Sequence, residues 1–232
     1  MDAQRRHDVF DRDIAPDDEL PAYEPATAPC YEPAICSRVL YTYSLRCANR
    51  KLQQWVPYGP ARIPLYNVKC YGAFRVFSSK PDMVLSEVSH ETALEREIAS
   101  VSFDRDGPLP WRPRARIVHP DSAAAVGLES KNFSDWEFTT AGVVFVWKIE
   151  SKPTSLALRE ASKGSVVARF TYSKNGTLAT NGAEVGKLEL YRNEILCEGD
   201  VTKVMASVMV PITHFKGMGR QYWNPPQSED TR

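Results

Sequence analysis

The segment Asp200-Val-Thr-Lys-Val-Met-Ala-Ser-Val-Met-Val-Pro-Ile-Thr-His-Phe215 decides how the rest of the chain is read. Wound at 100° per residue, it places Val201, Val204, Met205, Val208, Met209, Ile212 and Phe215 on one broad apolar face. Ala206 and Val210 add apolar surface on the far side, leaving Lys203, Ser207 and His214 as a narrow polar stripe. A helix apolar on nearly every side belongs inside a protein. At about 15 residues, interrupted by Lys203 and Pro211, it falls short of the roughly 20 that span a bilayer. Asp200 is placed to cap its first turn. Pro211 cannot donate to the carbonyl of Ser207 and is expected to end or bend the helix.

The same residues also alternate: Val204, Ala206, Val208, Val210 and Ile212 interleave with Met205, Ser207, Met209 and Pro211. A strand therefore competes with the helix on periodicity alone. The capping aspartate and a proline unsuited to a central strand favour the helix.

Upstream of it the texture is that of short strands. Val39, Tyr41, Tyr43 and Leu45 alternate, Asn49-Arg50 reads as a turn, and Leu52 to Val56 as a partner. Residues 65–71, 73–77, 83–88 and 98–103 continue the series, then 114–118, 125–130 and 134–139. Gly142 to Ile149 is the strongest strand, β-branched and aromatic almost throughout, entered through a hairpin turn at 139–142. Segments 156–160, 166–172 and 185–191 complete it. About a dozen short strands without βαβ alternation predict a mainly β protein, an antiparallel barrel or sandwich.

Composition supports a globular domain with two uneven ends. The hydrophobic fraction is 43% and the charged fraction 25%, ordinary for a folded chain. Formal net charge is zero, yet residues 1–35 hold nine acidic and three basic side chains. The remainder is correspondingly basic, compatible with anionic partners but far from the charge of a nucleic-acid binder. Residues 1–35 lack apolar periodicity, carry five prolines and are expected to be a disordered acidic leader. Within it, Leu20-Pro21-Ala22-Tyr23 forms an LPxY motif. Such motifs fit aromatic-lined WW grooves through a preformed extended backbone, although proline-rich linkers also meet so short a pattern by chance. Residues 36–216 are expected to be the folded domain and 217–232 a flexible tail.

Five cysteines (Cys30, Cys36, Cys47, Cys70 and Cys197) show no CxxC spacing, so neither a zinc site nor a disulfide framework is indicated. With charges rather than an apolar run after Met1, the expected setting is intracellular, cytoplasmic or at a membrane periphery.

Lys80-Pro-Asp-Met-Val-Leu85, Asn132-Phe-Ser-Asp-Trp-Glu-Phe-Thr139, Val167-Ala-Arg-Phe170 and Gly186-Lys-Leu-Glu-Leu190 resemble passages of the tubby C-terminal-like superfamily. That group includes tubby, LURP-one-related and phospholipid-scramblase-like proteins, and the texture is most similar to its small fungal-type members. The resemblance implies a closed antiparallel barrel of about twelve strands around a central hydrophobic C-terminal helix, over about residues 37–216. It also implies a non-enzymatic binding or adaptor module, docking on anionic phospholipid headgroups or a protein partner. Lys203 and Pro211 depart from an unbroken plug and require a partner and a bend respectively.

No phosphoinositide motif transfers residue by residue. The nearest counterpart is Arg105, Arg112, Arg114 and Arg116 around Trp111, since guanidinium forks suit phosphate and tryptophan suits a membrane interface. Asp104 and Asp106 stand nearby, and Arg114 and Arg116 alternate as the solvent face of a strand would. His119-Pro-Asp121 pairs an imidazole with a carboxylate, but no nucleophile elbow accompanies it. His214 is expected near the helix end, where its charged form suits the dipole. Gly182-Ala-Glu-Val-Gly-Lys187 has one residue too few for a phosphate loop, and Gly217-Met-Gly219 lacks the third glycine of a dinucleotide loop. No metal-ligand spacing and no cofactor motif appear. The competing expectation is a barrel that holds a small apolar ligand or carries an unrecognised enzymatic activity.

Overall fold

Alternation along each segment sets which side chains face inward. In Arg114-Ala-Arg-Ile-Val118, Ala115 and Ile117 are buried while Arg116 and Val118 face out. In a computed structural model of the chain, residues 39–58, 65–71, 80–89, 94–104, 113–122, 124–191 and 198–226 are described. They form β1 (Val39–Asn49), β2 (Leu52–Pro57), β3 (Leu65–Cys70), β4 (Met83–Val88), β5 (Glu95–Asp104) and β6 (Arg114–Val118). There follow β7 (Val126–Glu129), β8 (Trp136–Thr140), β9 (Val143–Ser151), β10 (Thr154–Glu160), β11 (Val166–Tyr172), β12 (Glu184–Tyr191) and α1 (Glu198–Gly217). The strand expected at 73–77 lies outside the described residues.

Every strand pairs antiparallel with its sequence neighbours, and β1 also pairs with β12, as in Tyr43↔Leu188, so the sheet closes. Closure removes the unpaired edges that would otherwise template association. The connection between β8 and β9 is one of three that are two residues long among the described strands. Ala141 at φ 49° and Gly142 at φ 78° supply the two positive dihedrals of a type I′ turn.

A twelve-stranded ring is too wide for its own side chains to fill, and α1 occupies the interior. Val204 to Ile212 are buried without a break over more than two helical turns, so every face of the helix is covered. Only a position within the closed sheet does that. Contacts come from separated strands: Thr213 Oγ1 lies 3.2 Å from Met83 Sδ of β4. Trp147 of β9 donates from Nε1 to Ser207 Oγ at 3.0 Å. The His214 ring meets Trp136 of β8 edge-on, 5.1 Å between centroids. Trp55, Trp136, Trp147 and Phe170 fill the space between helix and wall.

Several expectations about this segment change. The helix starts three residues before the expected 201 and runs two beyond 215, and Asp200 lies in its first turn, where its carboxylate accepts from Lys203 Nζ at 3.1 Å. That supplies the partner Lys203 required. Pro211 does not end the helix, which continues to Gly217. A missing N–H in a helix interior costs about 3 kcal/mol. Here the enclosing wall buries the turns on both sides of the proline and holds them helical.

Antiparallel order sends alternate connections to opposite rims. The N rim carries the start of β1, the end of β12 and the N-terminus of α1. The C rim carries the β1–β2, β3–β4, β5–β6, β7–β8, β9–β10 and β11–β12 connections together with the helix C-terminus. Residues 218–226, expected within a flexible tail, instead fold back across the C rim. Asn224 Oδ1 accepts from Thr154 N at 2.7 Å, and its Nδ2 donates to the carbonyls of Thr154 and Tyr172 at 2.9 and 2.7 Å. Tyr222 packs on Tyr172 and Phe215. Gly176, at φ 47°, makes room for it: a Cβ there would stand 1.7 Å from the Tyr222 carbonyl oxygen.

Candidate functional site: the C rim

Short turns present the charged groups of the C rim. Asn49 Oδ1 accepts from Lys51 N at 2.8 Å, shaping the turn that carries Arg50 and Lys51. Asn132 Oδ1 accepts from the amides of Ser134 and Asp135, fixing the loop that starts with Lys131. Ser173 Oγ accepts from Asn175 N and Gly176 N, both at 3.1 Å, beneath Lys174. Lys152 sits at the tip of the β9–β10 turn, Lys80 before β4, and Lys216 and Arg220 where α1 leaves the barrel.

Collected on one rim, the described connections bear Arg50, Lys51, Lys80, Lys131, Lys152, Lys174, Lys216 and Arg220 against Asp82 and Asp135. Asp82 is engaged, accepting from Phe103 N at 2.8 Å. Arg50, Lys51, Lys152, Lys174 and Lys216 have exposed side chains without an ion-pair partner among the described residues. On the barrel wall pairing is commoner, although Arg46, Arg116 and Lys148 are exposed without an ion-pair partner among the described residues. There Lys69 meets Glu95, Arg96 meets Glu87, Lys187 meets Glu189, and Glu150 bridges Arg159 and Arg169. Burial alone would raise the Glu150 carboxyl; the two guanidinium groups outweigh it and hold its pKa below the usual value.

Three apolar side chains stand among these cations: Leu178 at 57%, Trp223 at 49% and Met218 at 38% exposure. Cationic turns interspersed with exposed apolar groups, tryptophan among them, suit a surface that is anionic outside and apolar beneath. The negative end of the α1 dipole lies on the same rim, partly countered by Lys216.

Of the four arginines singled out in the sequence, Arg114 pairs with Glu129 at 3.8 Å and Arg116 points outward from β6. Those two share a groove on the barrel wall whose other charged groups are Asp104, Glu129, Lys131 and Glu137, a balanced set with no excess of cations. Arg105 and Arg112 lie outside the described residues. The Leu20, Pro21 and Tyr23 motif also lies outside them. The C-rim lysines escaped notice because they are scattered from position 51 to 216. Tabulating charge by alternate turns would have found them.

Among the described residues, His119 is buried and His214 and Cys70 are half-buried. His119 Nδ1 lies 2.9 Å from the Ile98 carbonyl, and burial lowers the pKa of its ring. The void beside it, shared with Lys203 and Ser207, measures about 10 Å³, room for no more than one water. Asp121, its sequence neighbour, is exposed. Cys70 and His214 line one C-rim cleft, but burial pushes the Cys70 thiol up to about 11, so it is not a thiolate near neutrality. Burial, then Arg220, lowers the pKa of His214, contrary to the charged form expected at the helix end. Among the described residues, no three His, Cys, Asp or Glu side chains converge as a metal site. On the N rim an apolar cleft of about 310 Å³ lies between Phe138, Phe145, Leu158, Val167 and Val204. The ion pairs Lys203–Asp200 and Lys163–Glu160 stand at its margin.

Among the described residues, no helix is long and apolar enough to cross a membrane. Comparison of the chain with known protein families, with curated proteins and with solved structures returns no match.

Proposed function

We propose that this chain is a non-enzymatic binding module, akin to the tubby-like proteins its strands resemble, that docks end-on through its C rim onto an anionic phospholipid surface. The observation that carries the reading is the contrast between wall and rim. On the wall six of nine described cations meet carboxylates and Arg46, Arg116 and Lys148 do not, whereas five of the eight on the C rim have no such partner among the described residues. Each lysine or arginine near an anionic leaflet contributes about 1 kcal/mol, so five supply on the order of 5 kcal/mol before ordering costs. Trp223, Leu178 and Met218 are placed to enter the headgroup layer from the same rim. A barrel rigidly plugged by α1 needs no rearrangement to present them. A non-catalytic role accords with the protonated Cys70 and with the lack of space beside His119.

Flotation with vesicles tests this. Vesicles of phosphatidylcholine containing phosphatidylserine or a phosphoinositide should carry the protein up, and pure phosphatidylcholine should not. Binding should fall steeply with added salt. Replacing Lys152, Lys174 and Lys216 together by glutamine should weaken it at least tenfold without altering the far-ultraviolet spectrum. Equal binding to neutral vesicles, or an unaffected triple variant, overturns the assignment.

A further inference from the structure

His119, at the N-rim end of β6, is more than nine-tenths buried. Its Nδ1 stands 2.9 Å from the Ile98 carbonyl, which can only accept, so Nδ1 carries the proton. Nε2, on the other side of the ring, is buried without a hydrogen-bond partner among the described residues. Burial first, and Lys203 after the Ile98 hydrogen bond that opposes it, act to lower the pKa of the ring. In the neutral ring Nε2 is an acceptor, and an acceptor taken out of water calls for a donor.

The void beside the ring measures about 10 Å³, room for a single oxygen. Its lining includes Lys203 and Ser207 of α1. Ser207 cannot serve Nε2, because its one hydroxyl proton goes to the Val204 carbonyl. Lys203 donates to Asp200 and keeps further N–H groups on its ammonium. Phe138, Thr140 and Lys203 line both this void and the N-rim cleft of about 310 Å³, so a polar end and an apolar body adjoin. The body is walled by Phe138, Phe145, Leu158, Val167 and Val204. At its margin Lys203 meets Asp200 and Lys163 meets Glu160, so the entrance bears matched charges and favours an uncharged occupant. At about 30 Å³ for each small group, the cleft takes about ten of them.

We propose that the N-rim cleft binds an uncharged amphiphile, a medium-chain primary alcohol of about ten non-hydrogen atoms, whose hydroxyl enters the void and donates to His119 Nε2. Its chain covers Phe145 and Val204, and its oxygen accepts in turn from Lys203. A water could meet Nε2 but would leave the apolar walls of the cleft uncovered; an alcohol does both. The site shares no residue with the C-rim surface, and its test is separate from that of membrane docking.

Titration of the 15N-labelled full chain with 1-octanol, kept below its solubility limit and read by nuclear magnetic resonance, tests this. Amide shifts should concentrate on residues 138–145, 158 and 203–207 and saturate with a Kd of about 0.1–1 mM. The Nε2 resonance of His119 should move as its lone pair gains a donor. Octyl methyl ether fits the cleft but has no proton to give, and octanoate brings an unmatched charge; each should bind at least tenfold more weakly. Val143→Trp, which fills the cleft and leaves His119 untouched, should abolish binding with the far-ultraviolet spectrum unchanged. Equal binding of the ether overturns the contact with His119, and equal binding of octanoate overturns the uncharged class. Shifts that fail to saturate, that spread to the C rim or that persist in the folded V143W variant overturn the site itself. The ether comparison is made on the unaltered chain, so it decides even where that variant fails to fold.

Discussion

Ser207 shows how a polar residue survives in the middle of the helix that plugs the barrel. Its hydroxyl accepts from Trp147 Nε1 and donates to the Val204 carbonyl at 2.9 Å, so all three groups are satisfied. Replacing it by alanine leaves the buried indole N–H without its acceptor. Ser207→Ala should lower the unfolding free energy by about 1–3 kcal/mol, read from urea midpoints. His214, on the same polar stripe, makes a different prediction. Its folded-state pKa lies below the ordinary 6.5, chiefly through burial, so the unfolded chain binds its proton more readily. Its contribution is complete above pH 6.5 and declines as pH falls toward the folded value. His214→Phe should flatten the loss of stability between pH 7.5 and 5.5, and an unchanged slope would remove His214 as its source. The polar stripe itself was legible from residue spacing. The protonation state was not, because it depends on Trp136 and Arg220 approaching from elsewhere.

Among elements, the strands were the most legible. Inward and outward positions alternate strictly enough in β6, β11 and β12 that periodicity alone marks them. The type I′ turn between β8 and β9 needed only the glycine after a run of β-branched and aromatic residues. The ends of α1 were less legible, since the proline rule is local and the wall that overrides it at Pro211 is assembled from distant strands. Segment 218–226 was opaque for the same reason: Gly-Arg-Gln-Tyr-Trp-Asn-Pro-Pro reads as a loop, and its partners lie in β10, β11 and the 3-10 turn Gly176–Leu178. Asn224 makes three of those hydrogen bonds. Asn224→Ala should speed amide exchange across 218–226 and lower stability by about 1–3 kcal/mol while the barrel stays closed. Unchanged exchange there would show that Tyr222 alone secures the segment.

For the whole molecule, the informative property is one that no window of sequence displays. The cations at 50, 51, 80, 131, 152, 174, 216 and 220 are separated by most of the chain, and antiparallel alternation brings every one to a single rim. Charge read along the chain appears diffuse; charge read around the ring is segregated. The threaded helix carries a further consequence, for biosynthesis. The seam joins Val39 to Tyr191, and the rod that supports it follows later still, so a nascent chain has no finished interior until Gly217 has left the ribosome. Until then Trp55, Trp136, Trp147 and Phe170 have no helix to pack against. Such a chain depends on chaperone custody longer than a modular protein of equal length. A message stopped after Tyr191 should yield all twelve strands yet no soluble product, detected as aggregate in a cell-free translation with and without added chaperones.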